Sequence, residues 1–317
     1  MNIPYGREDE ARLFENIIKS DRLAQAYIIN APEGMGKKTL TNYILSLLFC
    51  DTHSSCGVCP SCKSLEANCH PDAVYLTREA DKASLGVDRV RAIKQEVYTK
   101  PAMASYKAIV ADEMELATDG AQNAMLKMIE EPPEKVVFFL LTGSMAPILS
   151  TIQSRSVTVN LKPLPPRVLK SVFGADDYLV SISGGNPGKL KKLMEDSEYT
   201  EFRDEVADVF FSVRWEEPFS PYDGAKRLDK YKTRSREVME IMLSFARDIY
   251  FRKMGLSEDI INKDKANYID DFASRLSEAK ISNIINHIKD TLSQKGASGN
   301  FNMAVTIMLL KCRSEMR

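Results

Sequence analysis

The chain has 317 residues, 44% of them hydrophobic, so it can bury a core large enough for two or three domains. Its 43 basic and 44 acidic side chains give a net charge of −1. This balance excludes the uniform positive field of a protein that binds nucleic acid by itself. The sequence contains no apolar run of about 18 residues, the length needed to span a membrane. It also lacks the N-terminal signal pattern in which a basic stretch is followed by an apolar one. We therefore expect a cytoplasmic protein with no membrane partner.

Strand-like apolar runs alternate with helical patterns in the first half of the chain. The runs cover residues 26–30, 108–111, 136–141 and 157–161. Strands separated by helices predict a parallel α/β sheet. The prolines within 162–166 interrupt the pattern, because proline lacks an N–H donor and restricts the residue before it. We therefore predict an α/β domain over residues 1–163, a small helical lid domain over 164–205 and an all-α domain over 206–317.

The last of these regions carries two apolar stripes at helical spacing. They are formed by Ile281, Ile284, Ile285, Ile288 and Leu292, and by Phe301, Val305, Met308, Leu309 and Cys312. Such stripes are typical of core packing, and one of them could also form a subunit interface. The C-terminal third is therefore predicted to be a helical bundle.

A glycine-rich loop follows the first predicted strand and leads into a helix. Residues 31–39 read A-P-E-G-M-G-K-K-T, in which Gly34, Gly36 and Lys37 match a phosphate loop. In such a loop, backbone N–H groups and the lysine hold phosphate oxygens, and the next hydroxyl ligates Mg²⁺. The helix after it has an apolar face made of Leu40, Tyr43, Ile44, Leu47 and Leu48.

The phosphate loop is degenerate at two positions. Ala31 replaces its first glycine, and Lys38 occupies the hydroxyl position, where its cation would repel Mg²⁺. Thr39 comes one residue too late, which turns its side chain by roughly 100° around the helix. The loop therefore indicates ancestry from a nucleotide-binding protein, and we expect no ATP hydrolysis. The alternative to a nucleotide-binding loop is a structural turn that kept the shape of a phosphate loop.

Polar residues that could complete a nucleotide site follow two of the predicted strands. Asp112 and Glu113 stand where an active ATPase of this kind holds Mg²⁺ and orients the attacking water. The alternative is an acidic pair favoured by a helix N-terminus. Thr142, after the next strand, is placed to sense a γ-phosphate, although a threonine at a strand end is common.

Four cysteines lie within thirteen residues, in the pattern C-x5-C-x2-C-x2-C. This spacing can bring four thiolates around a tetrahedral Zn²⁺, so we predict a structural zinc module at about residues 50–62 with the ligands Cys50, Cys56, Cys59 and Cys62. His53 and His70 could replace one sulfur, but they are not needed. Cys69 and Cys312 are interpreted as packing residues.

An arginine between two predicted strands is the remaining candidate. Arg155 lies in the stretch T-I-Q-S-R-S at 151–156. A planar guanidinium there can be a solvated surface group, or it can project into a neighbouring subunit and stabilise charge on a γ-phosphate. Spacing alone does not separate these interpretations.

The order of these motifs resembles the clamp-loader branch of the AAA+ family, which serves bacterial DNA polymerase III. The resemblance is carried by the phosphate loop, the cysteine cluster directly after its helix, H-P-D at 70–72, G-V-D-R-V at 86–90, the acidic pair, L-K-M-I-E-E-P-P at 126–133, and S-R at 154–155. It covers about the first half of the chain, and the rest matches only in size and helical pattern. Ser156 stands where the family pattern has cysteine, which leaves the arginine intact.

The resemblance implies a non-motor subunit, because a damaged phosphate loop is combined with a retained Ser-Arg pair. Arg155 would then complete the ATP site of a neighbouring gamma or tau subunit, and the C-terminal domain would join a pentameric collar that also contains delta. The sliding clamp and primer-template DNA would be contacted through the complex. The alternatives are a gamma-like motor ATPase, which Lys38 opposes, and a zinc-dependent nucleic-acid-binding module, which the net charge opposes.

Overall fold

The computed structural model describes residues 3–79, 81–213, 220–293 and 301–316. The chain forms two compact units, Met1–Gly174 with Ser183–Lys191, and Ala175–Ile182 with Lys192–Arg317. The three-domain division drawn from the sequence stays a prediction.

The first unit is built on a parallel sheet of five strands in the order β2-β3-β4-β1-β5. The strands are β1 Ala26–Asn30, β2 Ala73–Leu76, β3 Lys107–Ala111, β4 Val136–Thr142 and β5 Val157–Asn160. The predicted parallel α/β sheet is therefore confirmed. The sequence did not reveal β2, because this strand has only four residues and Tyr75 within it is exposed.

Helices cover both faces of the sheet. They are α1 Glu8–Lys19, α2 Lys37–Phe49, α3 Pro60–Glu66, α4 Val87–Ala92, α5 Lys94–Val97, α6 Asp119–Glu130, α7 Ser150–Gln153 and α8 Pro166–Phe173, with a 3-10 turn at Met114–Leu116. Successive strand residues point to opposite faces, so Phe139 packs in the core beside α1 and α2, whereas Phe138 packs in the core beside α4 and α6.

The second unit is helical, as the sequence predicts. Of the next two helices, α9 Asp177–Ser183 belongs to this unit except for its last residue, and α10 Pro187–Glu195 is divided between the two units after Lys191. The helices that follow are α11 Tyr199–Phe211, α12 Pro221–Leu228, α13 Ser235–Lys253, α14 Ala266–Arg275, α15 Glu278–Ser293 and α16 Phe301–Glu315, with 3-10 turns at Asp229–Arg234, Ser257–Asp259 and Lys263–Lys265. No helix in the described ranges is both long and apolar enough to cross a bilayer.

The two apolar stripes predicted near the C-terminus do line the core of this unit. Ile281, Ile284 and Ile288 are buried on α15, which packs against α13 and α16. On α16 all five stripe residues are buried: Phe301, Val305, Met308, Leu309 and Cys312. Ile285 and Leu292 are only partly buried.

Candidate nucleotide site, cysteine cluster and arginine

The phosphate loop bends sharply between β1 and α2. Gly34 and Gly36 adopt left-handed backbone angles, with φ of 84° and 89°, a conformation that costs glycine little. Lys37 opens α2, and its Nζ donates to the carbonyl of Ala31 at 2.6 Å and to that of Pro32 at 3.3 Å. Burial lowers the pKa of Lys37, while Glu115 and Asp112 oppose that shift. The lysine expected on a phosphate is thus bonded to its own loop.

Lys38 forms an ion pair with the acidic residue that follows β3. Its Nζ lies 2.7 Å from Oδ2 of Asp112, whose side chain is only 9% exposed. Asp112 follows β3 and is the carboxylate that would hold the metal in an active ATPase. An ammonium supplies positive charge to this carboxylate and offers no oxygen ligand, so these residues do not fit Mg²⁺.

Glu113 and Thr142 also have partners within the chain. Glu113 has a left-handed φ of 51°, and its carboxylate accepts a hydrogen bond from Nε of Arg78 at 2.8 Å. Thr142 donates to Oε2 of Glu115 at 3.1 Å and to the carbonyl of Ser144 at 2.7 Å. The carboxylate beside Thr142 is therefore that of Glu115, which the sequence analysis missed. The 3-10 turn after Glu113 brings it there, and no strand-end pattern reveals such a turn.

A cavity of about 280 Å³ lies next to the phosphate loop. Thr39 and Gly36 line it together with Tyr5 and Val168. Arg7 lies at its wall, almost fully buried, and donates to the carbonyls of Lys162 at 2.8 Å and Met35 at 2.9 Å. Because the walls come from distant parts of the sequence, no local motif predicted this cavity. Thr39 lines this cavity, whereas Lys38 and Asp112 do not.

The first turn of α10 and the residue before that helix are bonded to the phosphate loop. The N–H of Gly188 donates to the carbonyl of Gly34 at 2.9 Å, and Nδ2 of Asn186 donates to the carbonyl of Glu33 at 2.8 Å. A Cβ at position 188 would lie 2.5 Å from Cα of Gly34, a separation that real atoms do not adopt. Only glycine permits this approach, so the loop is held in place from outside the sheet.

The four cysteines converge after α2. Cys50 follows the last residue of that helix, and Cys59 caps α3 by accepting the N–H of Cys62 at 3.4 Å. Potential ligand atoms of all four cysteines lie within 4.8 Å of one another, close enough to bind one metal ion. His53 bonds to the carbonyl of Leu47, and His70 stacks on Phe49. The converging set is therefore made of sulfur atoms, namely those of Cys50, Cys56, Cys59 and Cys62.

The acidity of these thiols differs because their surroundings differ. Burial raises the pKa of Cys50, but hydrogen bonds from the N–H of Cys56 and from Thr52 outweigh it and lower the pKa to about 5. Burial and the neighbouring sulfurs of Cys59 and Cys50 raise the pKa of Cys62 to about 12. The cluster can hold some thiolates by itself, whereas four adjacent thiolates require a cation.

Arg155 lies between α7 and β5 on a well-anchored segment. Gln122 of α6 accepts the N–H of Leu149 at 2.9 Å, and Nε2 of Gln153 donates to the carbonyl of Ile148 at 2.8 Å. The side chain of Arg155 is 44% exposed, and its Nη2 lies 3.1 Å from Oε1 of Glu130. The guanidinium is thus at the surface of the first unit, and it is paired within the chain.

Two family models match the chain. The model described as DNA polymerase III, delta subunit matches residues 6–165, and the model described as DNA polymerase III, delta subunit, C terminal matches residues 207–313. The first match alone covers half of the chain.

Relatives from several bacteria agree with these models. The delta' subunit of Escherichia coli K12 is 32% identical over 196 residues, 57% of this chain and 59% of the relative. The delta' subunit of Bacillus subtilis 168 is 26% identical over 86% of each chain. The gamma/tau subunit of Mycobacterium tuberculosis H37Rv is 32% identical over 53% of this chain and 29% of its own. By its two family models and its delta' relatives, the chain belongs to the DNA polymerase III delta-subunit family, and within it to the delta-prime type.

Proposed function

We propose that the chain is the non-motor subunit, or stator, of a replicative clamp loader. It assembles with gamma or tau and with delta, organises the pentamer, and supplies Arg155 in trans to a neighbouring gamma or tau ATP site. The assembled complex loads the sliding clamp onto primed DNA, and this chain meets the clamp and the DNA through the complex.

The ion pair between Lys38 and Asp112 carries the non-motor half of the proposal. Hydrolysis in phosphate-loop ATPases depends on a magnesium ion held by a hydroxyl after the lysine and by this aspartate. In this chain the hydroxyl is replaced by the ammonium of Lys38, which lies 2.7 Å from the carboxylate of Asp112. Lys37 is bonded to the carbonyl of Ala31 as well. A site filled by two lysines of its own chain supports a subunit that does not turn over ATP.

The trans-acting half rests on the position of Arg155. Gln122 and Gln153 anchor the segment before it, so the side chain projects from a fixed base and is still 44% exposed. An arginine that serves a neighbour must be reachable, and it must be held within a narrow range of positions. The helical unit made of α11 to α16 is the part of the chain that we assign to the collar.

We assign a structural zinc ion to the cysteine cluster. Sulfur atoms of four cysteines within 4.8 Å suit tetrahedral Zn²⁺, and a fourth sulfur leaves no coordination position for water. The ion would stabilise the loop between α2 and α3 and would take no part in chemistry.

A gamma-like motor ATPase is the second candidate, because Gly34, Gly36, Lys37 and Asp112 are all retained. The two candidates predict different behaviour of the isolated chain. A motor hydrolyses ATP in a magnesium-dependent manner that requires Lys37. The stator shows no turnover above a buffer control, so measurable turnover that Lys37→Ala removes would establish the motor.

The trans role is tested with Arg155→Ala in a reconstituted complex. An arginine finger is worth on the order of 10³ to 10⁵ in rate at the site it serves. The clamp- and DNA-stimulated ATPase should fall and clamp loading should slow, with a limited total loss because other sites keep their own arginines. Arg155→Lys should rescue only in part, since an ammonium lacks the planar fork. Wild-type rates in a complex of the correct size would contradict the role.

A further inference from the structure

The guanidinium of Arg155 contacts its own chain through both terminal nitrogens. Nη2 lies 3.1 Å from Oε1 of Glu130, while Nη1 donates to the carbonyl of Thr151 at 3.2 Å and to Oγ of Ser154 at 3.4 Å. A guanidinium binds a phosphate best through two parallel N–H bonds from neighbouring nitrogens. Both terminal nitrogens therefore already have partners within the chain, and at least one of those contacts must be given up for a phosphate to bind them both.

Glu130 occupies a position where a carboxylate is unfavourable without a cation. It is the last residue of α6, and the C-terminus of a helix carries partial negative charge from its unpaired carbonyls. The cation of Arg155 compensates both the carboxylate and the helix end. If the guanidinium of Arg155 moves away, the carboxylate of Glu130 and the helix C-terminus both lose this compensating charge. The ion pair therefore opposes the release of Arg155.

We propose that Glu130 is an intramolecular competitor of the neighbouring subunit's γ-phosphate for Arg155. The inference rests on the trans role proposed above and adds its regulation. Glu130 holds the guanidinium on α6 until a more highly charged phosphate displaces it, and it takes the guanidinium back once the neighbour holds a nucleoside diphosphate. The carboxylate thus makes engagement of Arg155 depend on a triphosphate. It is a positioning residue that acts only through Arg155.

The strength of this competition follows from exposure. The side chains of Arg155 and Glu130 are 44% and 39% exposed, so solvent screens their attraction. Exposed ion pairs bias an equilibrium by roughly 1.4-fold to 5-fold, and salt weakens them further. Removing the charge of Glu130 should therefore raise the ATPase rate at the neighbouring site by about this factor at low ionic strength. The gain should shrink as salt is added.

The experiment compares reconstituted complexes that carry Glu130→Gln, Glu131→Gln, Arg155→Ala, or Glu130→Gln with Arg155→Ala. Clamp- and DNA-stimulated ATPase is measured over a series of salt concentrations. Glu130→Gln keeps the side-chain length and removes only the charge, and it should be faster than wild type at low salt. Glu131→Gln is the matched control from the next position, where the side chain lines a groove with Lys127 and Met128. It should leave the rate unchanged.

A second readout uses the isolated full chain and does not depend on assembly. The rate at which an arginine-specific dicarbonyl modifies Arg155, followed by mass spectrometry, should increase in Glu130→Gln and not in Glu131→Gln.

The direction of the ATPase change separates a competitor from a structural contact. Loss of a structural contact at Glu130 would lower the ATPase rate of the complex, whereas loss of a competitor raises it.

The outcomes separate this inference from the function on which it rests. Unchanged or slower ATPase in Glu130→Gln, together with an impaired Arg155→Ala complex, overturns the competitor role and leaves the trans role standing. A gain that persists in the double variant also overturns it, because the effect would not pass through Arg155. Wild-type rates in Arg155→Ala contradict the trans role itself.

Discussion

The phosphate loop and the cysteine cluster lie at opposite ends of the same helix, α2, and they are completed in opposite ways. At the N-terminal end, Lys37 and Lys38 bond to a loop carbonyl and to Asp112. At the C-terminal end, four cysteines bring their sulfurs within 4.8 Å of one another. The phosphate loop contains cations of its own, the two lysines, whereas the cysteine cluster contains ligands that can bind a cation.

We interpret this difference as that between a former binding site, which now has a structural role, and a site that still binds an ion. A site that binds a cofactor keeps donors or acceptors that the protein itself does not satisfy. In the phosphate loop the side chains of Lys37 and Lys38 have partners within the chain, and Gly188 fixes the loop by a backbone bond to Gly34. We assign an ion to the cysteine cluster, because the sulfurs of its four cysteines lie close enough to bind one. We therefore expect the cluster to respond strongly to loss of a ligand, and the loop to respond weakly to loss of a lysine.

The largest effect is expected at the cysteine cluster. Cys59→Ser should remove about one Zn²⁺ per chain and loosen the segment between α2 and α3, because structural zinc contributes its binding energy to folding. The helices α13 to α16 should stay folded. Elemental analysis of protein purified without added metal measures the zinc, and limited proteolysis with circular dichroism measures the two regions.

Cys69→Ser is the matched control, since Cys69 is exposed, contrary to its interpretation as a packing residue, and lies outside the converging set. Its zinc content and proteolysis pattern should equal those of the wild type. Absence of zinc from a freshly reduced, folded wild-type sample would contradict the assignment of an ion to the cysteine cluster.

The next largest effect is expected where the phosphate loop meets the first turn of α10. Gly188→Ala places a methyl group 2.5 Å from Cα and 2.9 Å from the carbonyl oxygen of Gly34, so the backbone must shift. We expect a loss of about 1–3 kcal/mol in the free energy of unfolding, as for other overpacked sites. Denaturant unfolding measures it. Gly120→Ala is the control, because its added methyl meets only ordinary contacts at 3.8 Å or more.

The sequence predicted most of the framework and part of the site. Long apolar runs such as 136–141 identify strands because the whole run is buried, whereas the short β2 gives no such signal. Spacing along one segment predicted that the four cysteines would converge. It did not predict that Lys38 would reach Asp112, that Glu115 would face Thr142, or that Glu130 would pair with Arg155. Those contacts join distant segments, and only the fold defines them.

A smaller effect is expected for the ion pair of Lys38 and Asp112. Lys38→Met leaves the carboxylate of Asp112 without its cation, but Lys38 is 70% exposed, so the pair is screened. Exposed pairs contribute about 0.2–1 kcal/mol, which corresponds to a fall in Tm of at most about 4 °C for a unit of this size. Lys38→Thr restores a hydroxyl, and Mg²⁺ should raise its Tm while leaving that of the wild type unchanged.

Lys19→Met provides the control for Lys38→Met, because Lys19 is similarly exposed at 61% and its contact with Glu15 is a looser 4.0 Å. An equal fall in Tm for both variants would mean that the ion pair of Lys38 contributes no more to stability than an ordinary surface ion pair. A wild-type Tm that rises with Mg²⁺ would show that the metal still binds, and the contrast with the cysteine cluster would fail.

The smallest effect is expected for Lys37→Ala, which in a motor subunit would be the most damaging change in the loop. The ammonium of Lys37 donates to the carbonyls of Ala31 and Pro32, so its removal costs local hydrogen bonds and no contact with a phosphate. Clamp loading and ATPase of a reconstituted complex should therefore stay within error of the wild type, provided that the complex assembles to the correct size. Substituting the phosphate-loop lysine of a gamma or tau subunit in the same complex is the positive control and should abolish turnover at that site, because there the lysine holds the transferred phosphate. A loss of activity in this chain's Lys37→Ala variant at normal assembly would mean that a nucleotide does occupy the loop, and that its internal bonds describe only the empty state.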